Sequence, residues 1–209
     1  MSNRLLTRAV LFVAIALLPA QELTDVQRKF LVTIDDALGV HSGAVIADIG
    51  TGSTLNHAIR IAEKAGPNGK MVCVDIKPSI IANINQKVAA QHIPNITAVL
   101  GKDDDPQLAP GTFDAILVSN TYHEFTDPAA MLKHIADALK PGGRLVVVEL
   151  YANADKSEPR AEQAKHHDLS PDILEQELTT AGFVIKERPE PIRMDTDRFR
   201  YLFRAEKSK

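Results

Sequence analysis

Short apolar runs alternate with helix-like segments along most of the 209-residue chain, and this alternation constrains the fold more than any other feature. The runs are rich in β-branched residues and bounded by glycine or polar residues, as expected of strands buried on both faces of a sheet. We predict strands, in chain order, in the segments AVIADI, KMVCVDI, NITAVLG, FDAILVSN, RLVVVEL, FVIKER and FRYLFRAE. Strands alternating with helices join through right-handed crossovers into a mainly parallel sheet. The sequence therefore predicts a doubly wound α/β fold with helices on both faces.

The helical segments carry start and stop signals. Residues 21–38 show near-helical apolar spacing, and the helix ends at a glycine. Asp127-Pro128 is predicted to open one helix, and Ser170 is predicted to cap another, with Pro171 at its first helical position. The segment KPGG is predicted to end one helix and turn the chain into the fifth strand. Residues 152–169 are polar and lack an apolar period, so we predict a loop or lid there.

The first twenty residues differ from the rest of the chain. Arg4 and Arg8 precede an apolar run from residue 9 to residue 18, and the segment contains no acidic residue. This pattern is typical of a secretory signal peptide, and the run is too short to span a bilayer comfortably. We expect an exported, periplasmic or membrane-associated protein; the alternative is an N-terminal helix that packs on a cytoplasmic domain. Residues 21–209 are predicted to form a single domain.

Composition excludes several classes of function. The net charge of −3, the absence of tryptophan and an aromatic content of 5% give no basis for nucleic-acid binding. Cys73 is the single cysteine, so neither an internal disulfide nor a multi-cysteine zinc site can form, and its apolar neighbours favour a core position. His166 and His167 are adjacent, and adjacent side chains rarely aim at one ion. We therefore expect no metal.

The segment VIADIGTGST after the first strand is the strongest indication of a ligand. Gly50 and Gly52 allow a tight turn and close ligand approach, but Leu55 stands where a dinucleotide-binding fingerprint has its third glycine. Asp48 would repel a pyrophosphate and attract a cation. S-adenosylmethionine offers an ammonium and a sulfonium for that carboxylate, and its own carboxylate can accept hydrogen bonds from loop N–H groups. The segment therefore favours this methyl donor over a nicotinamide dinucleotide.

The chain resembles class I S-adenosylmethionine-dependent methyltransferases, especially small bacterial ones related to ubiquinone/menaquinone biosynthesis. The resemblance covers about residues 40–190 and rests on VIADIGTG, VCVDI, the segment from GTFDAILVSNTYHEF to KPGGRLVVVEL, and HHDLSPDILEQELTTAGFVIKE. It implies a Rossmann-like, seven-stranded sheet whose last strand is antiparallel. It also implies S-adenosylmethionine as cofactor and S-adenosylhomocysteine as product.

The resemblance also implies which residues bind the cofactor. The expected set is Asp48, Gly50, Thr51, Gly52, Asp75, Ile76, Asp103, Asp104 and Ser119. Asp75 ends the second strand, where a carboxylate can accept hydrogen bonds from a ribose hydroxyl pair. The chain has Gly101-Lys102-Asp103 where many relatives have Gly-Asp-Ala, and the expected adenine contact is either Asp103 or Asp104.

Three residues after the fourth strand are the catalytic candidates: Asn120, Tyr122 and His123. Methyl transfer needs a base only if the nucleophile must lose a proton, and an imidazole pKa near 6.5 suits that task. The alternative is that His123 and Glu124 only hydrogen-bond the loop. By the family pattern, His167 is a further candidate to reach the acceptor pocket from the lid.

The acceptor is predicted by elimination. Arsenite methylation relies on several thiols, and the chain has one cysteine. Nucleic-acid methylation usually needs a basic surface or a base-binding pocket motif that SNTYHE does not match. A small-molecule or lipid-like acceptor is therefore expected. Two other hypotheses stay open: an NAD(P)-dependent oxidoreductase, and a non-catalytic S-adenosylmethionine-binding module.

Overall fold

A computed structural model describes residues 25–152, 157–194 and 197–207. The signal-peptide-like segment, residues 1–20, lies outside these ranges, so export stays a prediction. Among the helices within them, none is both long and apolar enough to cross a bilayer.

The strands of the described ranges are β1 (Val45–Ile49), β2 (Lys70–Asp75), β3 (Ile96–Leu100), β4 (Phe113–Ser119), β5 (Leu139–Ala152), β6 (Phe183–Glu187), β7 (Ile192–Arg193) and β8 (Arg198–Lys207). All except β7 pair along one sheet in the order β3-β2-β1-β4-β5-β8-β6. β8 is antiparallel to β5 and β6, whereas the pairs among β1 to β5 are parallel; the two-residue β7 pairs only with β8. The predicted doubly wound sheet with an antiparallel last strand is confirmed, with β7 as a short addition.

Helices cover both faces of the sheet. They are α1 (Asp25–Leu38), α2 (Asn56–Ala65), α3 (Pro78–Ala90), α4 (Pro128–Ala138), α5 (Arg160–Lys165) and α6 (Pro171–Thr180). α1, α2 and α3 pack one apolar cluster, and α4 and α6 pack the other. Successive strand residues point to opposite faces, so β1, β2, β4, β5 and β8 contribute to both clusters. Cys73 is fully buried in the α1 face, which confirms its core position, and burial raises the pKa of its thiol to about 12.

The predicted cap at Ser170 is confirmed, and Asp127 caps α4 in the same way. The carboxylate of Asp127 accepts a hydrogen bond from the Ala130 N–H at 3.0 Å, and the hydroxyl of Ser170 accepts one from the Ile173 N–H at 3.4 Å. Each satisfies a backbone donor that the first helical turn leaves free.

The structure differs from the prediction at KPGG and adds a short helix to the segment predicted as a loop or lid. KPGG does not separate α4 from β5 but lies inside β5, which pairs with β4 on both sides of it, with an irregular register between Phe113 and Ala115. The predicted loop at residues 152–169 contains α5, whose six residues are too few to show an apolar period. α5 is held by the buried Gln163, whose amide accepts from the Ser170 N–H at 2.6 Å and donates to the Glu158 carbonyl at 2.7 Å.

Candidate functional site

The turn after β1 brings backbone to the carboxyl edge of the sheet. Gly50 and Gly52 adopt φ values of +74° and +64°, which favour glycine. A Cβ on Gly50 would overlap the Thr121 side chain, whereas a Cβ on Gly52 would meet no atom within 4 Å. Gly50 therefore lets the turn pack against the end of β4, and Gly52 leaves open space where a ligand can contact backbone.

A first cavity of about 370 Å³ lies along this edge. Six of the predicted site residues line it: Gly50, Gly52, Asp75, Ile76, Asp103 and Asn120. They come from the ends of β1, β2, β3 and β4, where a doubly wound sheet binds ligands. Asp104 is exposed and is not among the lining residues. Of the two candidates for the adenine contact, only Asp103 lines the first cavity.

Asp75 joins two loops at the floor of the first cavity. One carboxylate oxygen accepts from the Gly52 N–H at 3.2 Å, and the other accepts from the Lys77 N–H at 2.9 Å. Each oxygen keeps a lone pair for a further donor. Ile76 is 47% exposed beside it and gives the cavity an apolar surface. A carboxylate next to an apolar surface suits a sugar hydroxyl pair joined to a flat ring.

Asp48 lies beneath the turn rather than in the lining of the first cavity. It is 4% exposed, and its register partners are Cys73 and Leu117 in the α1 face. Burial raises the pKa of its carboxyl to about 7; hydrogen bonding to Thr51 opposes the shift, and the negative charge of Asp75 adds to it. A direct contact between Asp48 and a cationic ligand stays a prediction.

A second cavity, of about 740 Å³, lies on the α1 side of the same edge. Its apolar lining is Phe30, Leu31, Ile34, Ile59, Val148 and Leu150. Thr51 and Ser119, which were expected beside the cofactor, line this cavity instead of the first one. Asn120, with a φ of +53°, lines both cavities. A ligand in either cavity can therefore contact Asn120.

A half-buried guanidinium gives the second cavity a positive charge. Arg200 lies over the Phe30 ring at 5.6 Å, and burial lowers its pKa although Glu149 acts in the opposite sense. Within the described ranges, no carboxylate forms an ion pair with it. Burial, Arg60 and Arg200 lower the pKa of His57 to about 4, so this lining imidazole is neutral at pH 7. Arg60 itself is paired with Asp35.

Tyr122 and His123 do not line either cavity. The Tyr122 ring is fully buried and packs against Phe125 at 5.0 Å between ring centres. His123 is 1% exposed on the 3₁₀ turn of residues 122–124. In this conformation neither side chain reaches a substrate in the cavities, and their catalytic roles stay untested predictions.

His123 instead forms a buried pair with Glu149. Its Nδ1 lies 3.0 Å from one Glu149 oxygen, and its backbone N–H donates to the other at 3.2 Å. Its Nε2 lies 3.2 Å from Nδ1 of His167. Burial alone would lower the pKa of His123, but the Glu149 carboxylate outweighs that effect and raises it.

Sequence reasoning missed three residues of these sites. Arg200 and His57 line the second cavity, and Glu149 fixes His123. For Arg200 and Glu149, the signal is the alternation of side chains between the two faces of β5 and β8. Val148, Leu150 and Arg200 face α1, and Glu149, one position out of step, faces the α4 side. Reading that parity requires the pairing of β5 with β8, which the sequence does not supply.

Comparison with known proteins agrees with this architecture. A family model described as a methyltransferase domain matches residues 40–204. The ubiquinone/menaquinone biosynthesis C-methyltransferase UbiE of Hahella chejuensis is 31% identical over 118 residues, 56% of this chain and 47% of that protein. UbiE of a Marinomonas species is 28% identical over 166 residues, 78% of this chain and 59% of that protein. The chain therefore spans about half the length of these curated relatives.

Solved structures share the fold at low sequence identity. A SAM-dependent methyltransferase from Aquifex aeolicus superposes with a TM-score of 0.68 at 19% identity, covering 83% of this chain and 88% of that one. The [4+2]-cyclase SpnF superposes with a TM-score of 0.72 at 16% identity, covering 87% and 82%. Since these two proteins differ in the activity their names describe, the likeness shows the fold alone.

Proposed function

The chain belongs to the methyltransferase-domain family, and from that membership we propose that it transfers the methyl group of S-adenosylmethionine to a small amphipathic acceptor carrying an anionic group. The observation that carries the proposal is the position of Asn120 between a cavity suited to the donor and a larger cavity with apolar walls, whose Arg200 forms no ion pair within the described ranges.

The first cavity fits the donor in shape and chemistry. The open space at Gly52 admits the amino-acid portion against backbone N–H groups. Asp75 can accept from the ribose hydroxyls while it keeps its two backbone hydrogen bonds. Ile76 and Pro106 supply apolar surface for the adenine ring, and Asp103 can accept from its amino group.

The second cavity fits the acceptor. Its volume of about 740 Å³ lies in the range of small-molecule sites, and α1 and β5 give it apolar walls. Arg200 is half-buried over Phe30, and in the described part of the chain no carboxylate forms an ion pair with it, although the charge of Glu149 acts on it from a distance. An anionic group on the acceptor would offset the desolvation of that guanidinium. The exposed Glu63 also lines the cavity and favours an acceptor whose remaining surface is uncharged.

The reaction then takes place near Asn120. S-adenosylmethionine held there would supply an activated methyl group and would leave as S-adenosylhomocysteine once the acceptor atom had taken that group. The chain contributes by holding the two ligands in line, which supplies much of the acceleration of such a displacement. Asn120 can donate to one ligand and accept from the other, because its side-chain amide has both functions.

Calorimetry on the full chain tests the cofactor assignment. We expect saturable binding of S-adenosylmethionine and S-adenosylhomocysteine, and none of NAD⁺, since Asp48 disfavours a pyrophosphate at the turn. Saturable binding of NAD⁺ without either sulfur ligand would refute the proposal and favour an oxidoreductase.

A matched ligand pair tests the acceptor class. In chain saturated with S-adenosylhomocysteine, we expect 4-butylbenzoate to bind more tightly than 4-butylbenzamide. Arg200→Gln should weaken the acid at least about tenfold and leave the amide unchanged, since a charged hydrogen bond contributes about 1.5–3 kcal/mol. Arg188→Gln is the control, because Arg188 also stacks on a phenyl ring, that of Phe203 at 4.8 Å, but lies outside the second cavity. Equal binding of acid and amide would refute the anionic acceptor.

Turnover is measured as release of S-adenosylhomocysteine from S-adenosylmethionine with pairs of amphipathic acids and their neutral isosteres. We expect release with acids that also carry a nucleophilic carbon, oxygen or nitrogen. Binding of the donor with no release across such a series would instead favour the non-catalytic module.

A further inference from the structure

Two histidines far apart in the sequence meet beside the first cavity. His123 follows β4 and His167 precedes α6, yet Nε2 of the first lies 3.2 Å from Nδ1 of the second. A carboxylate oxygen of Glu124 lies 3.9 Å from the same Nε2. We propose that His123, Glu124 and His167, called here the two-histidine cluster, bind a divalent transition-metal ion of the zinc type.

The spacing of the donor atoms suits one ion. One ligand atom from each residue lies within 4.8 Å of the other two. Metal–nitrogen bonds of about 2.0–2.1 Å place neighbouring ligand atoms roughly 3.0–3.4 Å apart, depending on whether the angle is octahedral or tetrahedral. The observed 3.2 Å between the imidazole nitrogens falls in that interval. The Glu124 oxygen lies 3.9 Å from Nε2 of His123 and must move closer to both nitrogens, and its 56% exposed side chain has room to do so.

Glu149 orients the buried ligand. It is completely buried and accepts from the Nδ1 side of His123, which directs Nε2 toward His167. A carboxylate that holds the second nitrogen of a liganding histidine fixes its tautomer and increases its basicity. Glu149 therefore places a negative charge on the side of His123 that faces away from the proposed ion. A pair of surface histidines would have no such buried carboxylate to hold its rings in place.

The charges around the cluster are compatible with a cation. The guanidinium of Arg160 lies near the cluster, but it donates to the carbonyls of Tyr122 and His123 and pairs with Glu177 at 2.9 Å. Glu124 and Glu149 supply two negative charges that balance the two positive charges of the ion. Two imidazole nitrogens and one carboxylate form a donor set that binds Zn²⁺ and similar first-row ions, with coordination positions left for solvent.

The sequence position of the ligands gives the site a structural consequence. His123 and Glu124 lie on the turn after β4, and Glu124 also lines the first cavity. His167 lies between α5 and α6, in the segment predicted as a lid. A bound ion would therefore fasten that segment to the turn beside the donor cavity. The proposal does not rest on methyl transfer and is tested without cofactor or acceptor.

The experiment uses the full chain without a histidine tag, stripped with chelator and dialysed. Zn²⁺ is titrated by calorimetry, and Co²⁺ is followed by its visible absorption, which reports nitrogen and oxygen ligation. We expect one ion per chain and a rise in melting temperature with Zn²⁺, since a ligand that binds only the folded state stabilises it.

Two variants on exposed residues locate the site. His167→Ala and Glu124→Gln should each weaken Zn²⁺ binding at least about tenfold, and Glu149→Gln, which removes the orienting charge, should weaken it about 10–100-fold. His166→Ala is the matched control, because this exposed neighbour belongs to no metal-binding cluster in the described chain. If Glu149→Gln does not fold, the two exposed variants still decide. Absence of saturable binding, or equal affinity in wild type and His167→Ala, would overturn the proposal.

Discussion

Asp48 should destabilise the ligand-free protein and strengthen donor binding, and one substitution separates the two effects. Burial raises its pKa from 3.8 to about 7. At about 1.4 kcal/mol per pKa unit, ionised Asp48 costs the folded state about 4 kcal/mol above pH 7. Below about pH 3 the carboxyl is protonated in both the folded and the unfolded chain, because its ordinary pKa is 3.8. Between those limits the folded chain binds more protons, so its stability falls as pH rises.

Asp48→Asn removes this charge at nearly the same volume. At pH 8 we expect the variant to be more stable than the wild type by about 1–3 kcal/mol, less than the full amount because a buried amide also needs hydrogen-bond partners. At pH 4 the two proteins should differ little. Denaturant unfolding at both pH values measures this, and Asp104→Asn, which removes an exposed carboxylate, serves as control with a change of no more than about 0.5 kcal/mol.

The same substitution should weaken the donor. The ammonium and sulfonium of S-adenosylmethionine favour the ionised carboxylate, so binding should expel its proton. With a pKa of about 7, only about one-tenth of the ligand-free protein is ionised at pH 6. Wild-type affinity should therefore fall about tenfold between pH 8 and pH 6, whereas the affinity of Asp48→Asn should be lower and flat.

Calorimetry in two buffers of different ionisation enthalpy counts the released protons directly. At pH 6 we expect nearly one proton per bound S-adenosylmethionine in the wild type and none in Asp48→Asn. A variant that is no more stable at pH 8 and binds the donor as tightly as the wild type at both pH values would show that the charge beneath the turn has no such role.

Two further substitutions test the turn and the floor of the first cavity. Gly50→Ala should lower the free energy of unfolding by at least about 1–2 kcal/mol, which is the cost of a left-handed conformation for alanine. Denaturant unfolding of Gly50→Ala and of Gly50→Ala/Thr121→Ala measures the effect. Equal stability of Gly50→Ala and the wild type would contradict the overlap with Thr121. Asp75→Asn should lower the affinity for S-adenosylhomocysteine about 10–100-fold, because an amide oxygen cannot accept from both backbone N–H groups and the ribose. Calorimetry measures this affinity, and an unchanged value would remove Asp75 from the cofactor site.

The sequence predicted the local features because each depends on neighbouring residues. The order of strands and helices, the glycine turn after β1, the helix start at Asp127 and the cap at Ser170 all follow from short patterns of side-chain type. Where the pattern was short or interrupted it failed, as at α5 and at KPGG, which lies within β5.

Tertiary structure decided which of the residues after β4 face a ligand. Ser119, Asn120, Tyr122 and His123 are nearly consecutive, and the sequence treated them as one group beside the sulfonium. The structure places Ser119 on the second cavity, Asn120 on both, and the other two in the interior. The 3₁₀ turn at residues 122–124 directs the side chains of Tyr122 and His123 away from the edge of the sheet, and no local sequence pattern predicts such a turn.

Contacts between segments that are distant along the chain could not be predicted from the sequence. His123 meets Glu149 across 26 positions and His167 across 44, and Arg200 reaches the second cavity from the antiparallel β8. Adjacent histidines at 166 and 167 indicated no metal, because two neighbours in a chain seldom point at one ion. The sequence alone determined the sheet, its edge and the turn, since these follow from local preference; which side chains share a cavity depends on strand pairing and parity, and only the folded chain sets those.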